Sequence, residues 1–133
     1  MNIKHLLTLT AACFALCASA HAATFTVTNT NATGAGSLRQ AVADAAAAAG
    51  ADTITFSTGL SGLNIQLDDT LVLDQDLTID ASALAAGIKI LGLGRVLEIT
   101  AGRTVVLRKL ELRNGWSNQG GGIYNAGILT LHS

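Results

Sequence analysis

Two pairs of closely spaced carboxylates come nearest, in residue type and spacing, to catalytic or metal-binding chemistry. Asp68 and Asp69 are adjacent, and one residue separates Asp74 from Asp76. Paired carboxylates can supply the acid and base of glycoside hydrolysis, and their oxygens are ligands for Ca²⁺. Both pairs lie in predicted turns, however, where aspartate commonly bonds nearby backbone amides. We therefore predict no catalytic residue, no metal site and no cofactor, and keep polysaccharide chemistry at these acids as the alternative.

Histidine and cysteine offer little further chemistry. His132 is the only histidine after residue 22, which does not favour a Ser-His-Asp arrangement, and we expect it to be exposed to solvent. Cys13 and Cys17 both precede residue 22. No thiol nucleophile, disulfide or cysteine metal site is therefore expected beyond that point.

Trp116 and Tyr124 are the residues that we predict to contact a ligand. The flat apolar face of an aromatic ring suits a sugar surface. Trp116 stands in a polar loop, whereas Tyr124 stands in a predicted strand, where packing within the fold is the competing explanation. The glycines at 120–122 are not interpreted as a phosphate-binding loop, because strand residues follow them instead of a helix or a Lys-Ser/Thr pair.

Charged residues are segregated along the sequence. Seven acids and no base lie between Asp44 and Asp80, whereas six bases and two acids lie between Lys89 and Arg113. We expect one acidic and one basic end of the molecule, a distribution that serves solubility. A basic surface that holds an acidic polysaccharide is the sharper alternative. The chain has no concentrated basic helix and no positive excess, so nucleic acid is not an expected partner.

A strand–helix–strand unit is predicted for residues 23–58. Residues 24–28 alternate and are rich in β-branched side chains, and residues 52–56 repeat this pattern. Between them, Ser37 and Gln40 have the spacing of a capping box, in which each side chain bonds the other residue's amide. Gly50 is expected to end the helix. The predicted apolar face of the helix comprises Leu38, Ala41, Val42, Ala45 and Ala49.

Beyond residue 58 the sequence alternates with a period of two between short turns. Strands are predicted at 63–67, 71–73, 77–80, 88–91, 96–99, 105–112, 122–124 and 128–131. Short, similar strands at tight spacing favour an all-β solenoid, with a β-sandwich as the alternative. Few aromatic residues and few two-residue hairpin turns favour the solenoid. We expect Asn114 and Asn125, which follow matching strands, to stack along it.

The first 22 residues have the pattern of a secretory signal peptide. A short basic start at Lys4 and His5 precedes an apolar run too short to span a membrane comfortably. Ala20, His21 and Ala22 form a small-x-small site, which predicts cleavage after Ala22. The alternatives are cleavage after Ala20, a retained membrane anchor and lipidation. We therefore expect an exported protein, at the cell surface or outer membrane or in the medium, with the periplasm as a further location.

The strand–helix–strand unit resembles a known amino-terminal cap. Residues 25–29, 36–42 and 52–56 are similar to the cap of exported bacterial proteins whose bodies are right-handed parallel β-helices. That cap typically reads Ser-Leu-Arg-Glu-Ala-Ile, and Gln40 and Val42 replace its Glu and Ile here. Gln40 preserves the capping box.

A second stretch resembles the coil repeat of the same kind of protein. Residues 110–115 and 120–131 are similar to the Gly-Gly-Gly-Ile-Tyr-Asn repeat of polymorphic outer membrane proteins and autotransporter passengers. The resemblance implies a right-handed parallel β-helix, with a cap at 23–58 and the first coils at 59–133. Relatives usually continue through many more coils. We therefore expect either a truncated form or pairing of the open strand edge formed by Ile128 to Leu131.

The function implied by this resemblance is non-enzymatic. We expect an adhesin-like or passenger-like module at the cell surface, or a fragment of one, with polysaccharide, a host surface or a second copy as partner. The alternative is a β-helical polysaccharide-active enzyme or its non-catalytic amino-terminal piece. A remnant without a function of its own is the third interpretation.

Overall fold

The computed structural model describes residues 20–133. The predicted signal peptide therefore lies outside the described residues, apart from Ala20 to Ala22. The elements in chain order are β1 Thr24–Val27, α1 Leu38–Ala47, β2 Asp52–Phe56, a 3-10 turn Thr58–Leu60, β3 Asn64–Gln66, β4 Leu71–Leu73, β5 Leu77–Asp80, β6 Ile88–Leu91, β7 Leu97–Ile99, β8 Thr104–Arg108, β9 Leu110–Arg113, β10 Ile123–Asn125 and β11 Ile128–His132. In this part of the chain, no helix has the length and hydropathy needed to cross a membrane.

The strands form three sheets, and every strand pair in them is parallel. Sheet A contains β1, β2, β5, β8 and β11, sheet B contains β3, β6 and β9, and sheet C contains β4, β7 and β10. Paired residues are separated by 22 positions, as in Ile88 and Leu110, to 29 positions, as in Thr24 and Thr53. The prediction of a mostly β, solenoid-like fold with one helix is confirmed. Parallel pairing does not fit the antiparallel sheets of a β-sandwich.

The chain visits the three sheets in rotation, and we call each visit to all three a pass. Pass 1 contains β2, β3 and β4, pass 2 contains β5, β6 and β7, and pass 3 contains β8, β9 and β10, after which β11 returns to sheet A. Alternate residues of each strand point inward, so that equivalent side chains of successive passes form columns. Ile54, Ile79 and Leu107 are one such column in sheet A. Full burial of each such side chain contributes roughly 1.5–3 kcal/mol.

Helix α1 packs against the first strands of sheet A with the face predicted from its sequence. Leu38, Ala41, Val42 and Ala45 are buried. The helix ends at Ala47, with Ala48 as its carboxy-terminal cap, so the prediction that Ala49 belongs to the apolar face is wrong.

Only half of the predicted capping box forms at the start of α1. Ser37 Oγ accepts a hydrogen bond from the Gln40 amide at 3.1 Å. The Gln40 side chain instead donates to Asp44 Oδ1, one helical turn further on, at 2.8 Å. The Ser37 amide donates to Gly34 O in the preceding loop at 3.1 Å. Its hydrogen bond is therefore already made without the Gln40 side chain.

The single strand predicted at 105–112 is two strands in different sheets. Lys109 adopts a left-handed conformation with φ of 54° and turns the chain from sheet A into sheet B. Gly87 lies at the neighbouring corner, where an added Cβ would approach Lys109 O to 2.7 Å. The corner is therefore tightly stacked, and Gly87, with φ of +64°, is suited to it in both size and conformation.

Candidate ligand-binding surface

The outward face of sheet C carries Tyr124, one of the two predicted ligand contacts. Tyr124 pairs in register with Glu98 of β7, which pairs in turn with Val72 of β4. These three residues alternate with inward-pointing apolar residues such as Leu97 and Ile99, so their side chains face solvent. Sheet alternation thus fixes an aromatic, an acidic and an aliphatic group in one column on the surface.

Arg95 holds the tyrosine end of this column in place. Its guanidinium carbon lies 4.5 Å from the centroid of the Tyr124 ring, within the range of a cation–π interaction. Arg95 Nη1 donates to Glu98 Oε2 at 2.5 Å, and Nη2 donates to Gln119 O at 3.0 Å. Arg95 and Glu98 are not among the site residues predicted from sequence. Their spacing of three residues was the only signal, and it did not reveal that both would meet Tyr124.

Trp116 is anchored to the same corner of the fold by its backbone. Its amide donates to Gly94 O at 3.0 Å, one residue before Arg95, while 77% of the residue's surface remains exposed. The loop that carries it is closely packed, because a Cβ on Gly115 would collide with the carbonyl of Gly121. The backbone is therefore fixed and the indole is free to meet a ligand.

Together these residues make an exposed surface that we call the aromatic corner. It consists of Arg95, Glu98, Trp116 and Tyr124, and the exposed Leu93 precedes it in the chain. Trp116 is largely exposed, Tyr124 is 38% exposed with Arg95 over one face of its ring, and the Arg95–Glu98 pair adds donors and acceptors. Such a combination suits a sugar, which has apolar ring faces surrounded by hydroxyl groups.

Asp74 and Asp76 are each used to join successive passes. Asp74 Oδ1 accepts from Thr100 Oγ1 at 2.7 Å and from Arg103 Nε at 3.4 Å. The hydrogen bond from Thr100, aided by the charge of Arg103 and opposed by desolvation, lowers the pKa of Asp74 below its ordinary value. Asp76 Oδ1 accepts from the Thr104 amide at 2.8 Å. The two carboxylates therefore serve different partners in the turn above them.

Asp68 and Asp69 belong to the connection between helix α1 and the turn before β4. Arg39 Nη2 donates to Asp68 Oδ1 at 3.3 Å and to Asp69 O at 2.7 Å. The Asp69 side chain accepts from the Thr70 amide at 2.7 Å, as expected of aspartate in a turn. Within residues 20–133, no three side chains of the His, Cys, Asp or Glu types are grouped so that they could hold a metal ion.

Charges that are segregated along the sequence are paired in the fold. Arg103 lies 3.4 Å from Asp74, and Arg108 lies 3.9 Å from Asp80 in the adjacent pass. Where the acidic stretch meets the basic stretch, these two pairs compensate charge between neighbouring passes.

Asp80 is the most embedded of these paired acids. Burial by itself would raise its pKa, but hydrogen bonds from Ser82 and the charges of Arg108 and His132 outweigh burial and lower the pKa below its ordinary value. His132 follows Arg108 in the same column of sheet A. It is exposed.

Asn114 and Asn125 do not stack on one another. Asn114 follows β9 in sheet B, whereas Asn125 ends β10 in sheet C. Asn114 instead ends its strand in a left-handed conformation with φ of 57°, which asparagine tolerates better than most residues. Asn125 Oδ1 accepts from the Gly127 amide at 3.0 Å and closes the turn into β11. The similarity of the two preceding strands concealed that they belong to different sheets.

Comparison with known proteins identifies no relative of this chain. No family model matches the chain, and no match is found among curated proteins or among solved structures.

Proposed function

We propose that the chain is a capped right-handed parallel β-helix that is exported and acts at the cell surface as a non-enzymatic binding protein. The aromatic corner is the observation that carries this proposal. It presents Trp116 to solvent on a fixed backbone and Tyr124 beneath Arg95. The paired carboxylates, by contrast, are bonded to the turns of neighbouring passes or to α1.

Polysaccharide is the ligand class that this corner fits best. The indole of Trp116, in the loop before β10, supplies the larger apolar face, and the Tyr124 ring on β10 supplies a second one. Glu98 and Arg95 remain partly exposed beside them and can bond sugar hydroxyl groups. Recognition at these residues depends on stacking against the rings and on polar contacts at their edges.

Polysaccharide binding with matched variants of the corner tests this function. We expect Trp116→Ala to weaken binding by about tenfold, which corresponds to about 1.4 kcal/mol. Leu93→Ala is the control, because Leu93 is 75% exposed close to the corner in the chain but has no ring to stack on a sugar. The control should change binding by less than about threefold, since it removes only scattered apolar area. Failure of the unaltered protein to bind any polysaccharide, or equal effects of both substitutions, would contradict the proposal.

A polysaccharide-active enzyme is the second candidate, and one groove favours it. A depression of about 310 Å³ lies between α1 and the β4 region, with Arg39, Asp74 and Gln75 among its walls. Asp74 supplies a carboxylate to the wall of this depression, and a carboxylate is the group that glycoside hydrolysis requires. New reducing ends or unsaturated products that disappear with Asp74→Asn would favour this candidate, and binding without turnover would favour the first.

The end of the stack opposite α1 supports a partner for the chain. Strands β9, β10 and β11 are the last strands of their sheets, and each offers an unpaired edge within the described chain. They surround a cavity of about 400 Å³ lined by Leu107, Leu110, Leu112, Ile123, Leu131, His132 and Ser133. We propose a second copy as the occupant. Helix α1 covers the other end, so two copies would meet through the same open end, related by a two-fold axis.

A further inference from the structure

Asp52 is a buried carboxylate at the first position of β2. It is 1% exposed, and the other buried polar residue in the described chain is Ser37. Asp52 Oδ1 accepts a hydrogen bond from the Ala23 amide at 2.7 Å. Its second oxygen, Oδ2, is also buried and accepts no hydrogen bond from any residue between 20 and 133. A buried carboxylate with one donor and no positive partner is costly, so the site as it stands is incomplete.

The backbone of Ala23 is fixed beside this carboxylate. Ala23 O accepts from the Thr53 amide at 2.8 Å, which continues the pairing of β1 with β2 by one residue. The preceding residues, Ala20 to Ala22, are exposed. They pass close to Gly50, where an added Cβ would lie 3.0 Å from His21 O. The Ala22–Ala23 peptide bond therefore joins an exposed segment to a nitrogen that already points at Asp52.

We propose that cleavage between Ala22 and Ala23 completes the Asp52 site by turning the Ala23 nitrogen into an ammonium group. Water hydrolyses the peptide bond; Ala22 leaves with a new carboxylate, and the new amine on Ala23 takes up a proton. The amide offers one N–H donor, whereas the ammonium offers three and a positive charge. One donor keeps the bond to Oδ1, another serves Oδ2, and the charge compensates the buried carboxylate.

The consequence is a fold that recognises its own processed amino terminus. Before cleavage the buried carboxylate has an amide partner without charge, and after cleavage it has a buried ion pair. The folded state of the cleaved chain is therefore favoured over that of the precursor. This inference rests on the export included in the proposed function, but it concerns residues remote in sequence from the aromatic corner.

A chemical cap on Ala23 tests the ion pair without adding residues. The chain that begins at Ala23 is prepared with a free amine and with an acetylated amine, each with and without Asp52→Asn, and unfolded in urea. Acetylation keeps an N–H donor but removes the charge. We expect it to shift the unfolding equilibrium towards the unfolded state by about tenfold or more when Asp52 is present, and by less than about threefold with Asp52→Asn. Equal effects of acetylation in both backgrounds would overturn the proposal.

A second measurement applies if Asp52→Asn does not fold. The rate at which an acylating reagent modifies the Ala23 amine is compared in the native and the urea-unfolded protein at one pH. An amine paired with buried Asp52 should react at least about tenfold more slowly when folded. Equal rates in the two states would overturn the ion pair.

The mass of the exported protein separates this inference from the proposed function. A chain that begins at Ala23 is expected. A chain that begins at His21, or one that retains Met1, would overturn the inference and leave polysaccharide binding at Trp116 open to its own test. If the protein binds no polysaccharide but acetylation of Ala23 still destabilises it only when Asp52 is present, the result counts against the proposed function alone.

Discussion

The two ends of the stack use the same kinds of residue with opposite results. In one column of sheet A, Ile54, Ile79 and Leu107 are 0%, 0% and 3% exposed, whereas Leu131, the next member, is 64% exposed. Leu131 has the inward phase of its strand, but no further pass within the described residues covers it. Burial in this fold is therefore set by the neighbouring pass as much as by the alternation within a strand.

The amino-terminal end is closed by apolar packing together with polar contacts. Leu38 of α1 is fully buried. Arg39 donates to Thr70 O at 3.3 Å, and Gln75 Nε2 donates to Val42 O near the middle of the helix at 3.0 Å. These bonds attach the helix to both turns that flank β4. At the other end, the strand edges of β9, β10 and β11 have no such cover in the described chain.

The largest expected effect on the free energy of unfolding is at the amino-terminal end, which α1 covers. Leu38→Ala should lower the free energy of unfolding by about 2–5 kcal/mol, because it removes a fully buried side chain and leaves a cavity under the helix. Urea denaturation followed by circular dichroism measures the change. A loss below about 1 kcal/mol would show that α1 contributes little to the stack and would remove the contrast between the two ends.

An intermediate effect on stability is expected at Asp80, which lies between the two ends of the stack and pairs with Arg108. Its lowered pKa contributes stability that is present above the ordinary carboxylate range and is lost as the pH falls through the lowered value. The unfolding free energy of the unaltered protein should therefore fall more steeply below about pH 4 than that of Asp80→Asn. Ser82→Ala, which removes one hydroxyl donor, should give an intermediate slope. Parallel curves for all three proteins would contradict the assignment.

The smallest effect on stability is expected at the open end. Leu131→Lys should change the unfolding free energy of the monomer by less than about 0.5 kcal/mol, since the side chain is already exposed. The same substitution should abolish pairing of two copies, because a charge on an edge strand opposes further association. Analytical ultracentrifugation distinguishes the two states. A monomeric unaltered protein, or a dimer that survives Leu131→Lys, would refute tail-to-tail pairing.

Much of the strand pattern could be predicted from sequence, because alternation with a period of two is a local property. Strands β2, β4, β5 and β6 have the predicted bounds. The break at Lys109 was visible as a change of phase, since the apolar positions shift from Val105 and Leu107 to Leu110 and Leu112. The two runs were predicted as one strand because no glycine or asparagine separates them.

Contacts between passes could not be predicted in the same way. The pairing of Asp74 with Arg103 or Asp80 with Arg108 depends on the offset between passes, which varies from turn to turn. Trp116 and Tyr124 could be chosen as exposed or stacking candidates by residue type, but Arg95 meets Tyr124 only through the register of sheet C and its loops. The burial of Asp52 was hidden for the same reason, since an acid at the start of a strand usually faces water.

Because the strands stack in parallel and α1 covers one end of the stack, the response to mechanical tension depends on the end that is pulled. Each strand of a sheet is bonded only to the strands of the passes before and after it, so tension applied at Ser133 would act first on β11 and its bonds to β8. Strands would peel away one at a time from that end, at low force for each step. Tension applied at Ala23 would have to separate β1 from β2 beside the packed helix before anything else could move.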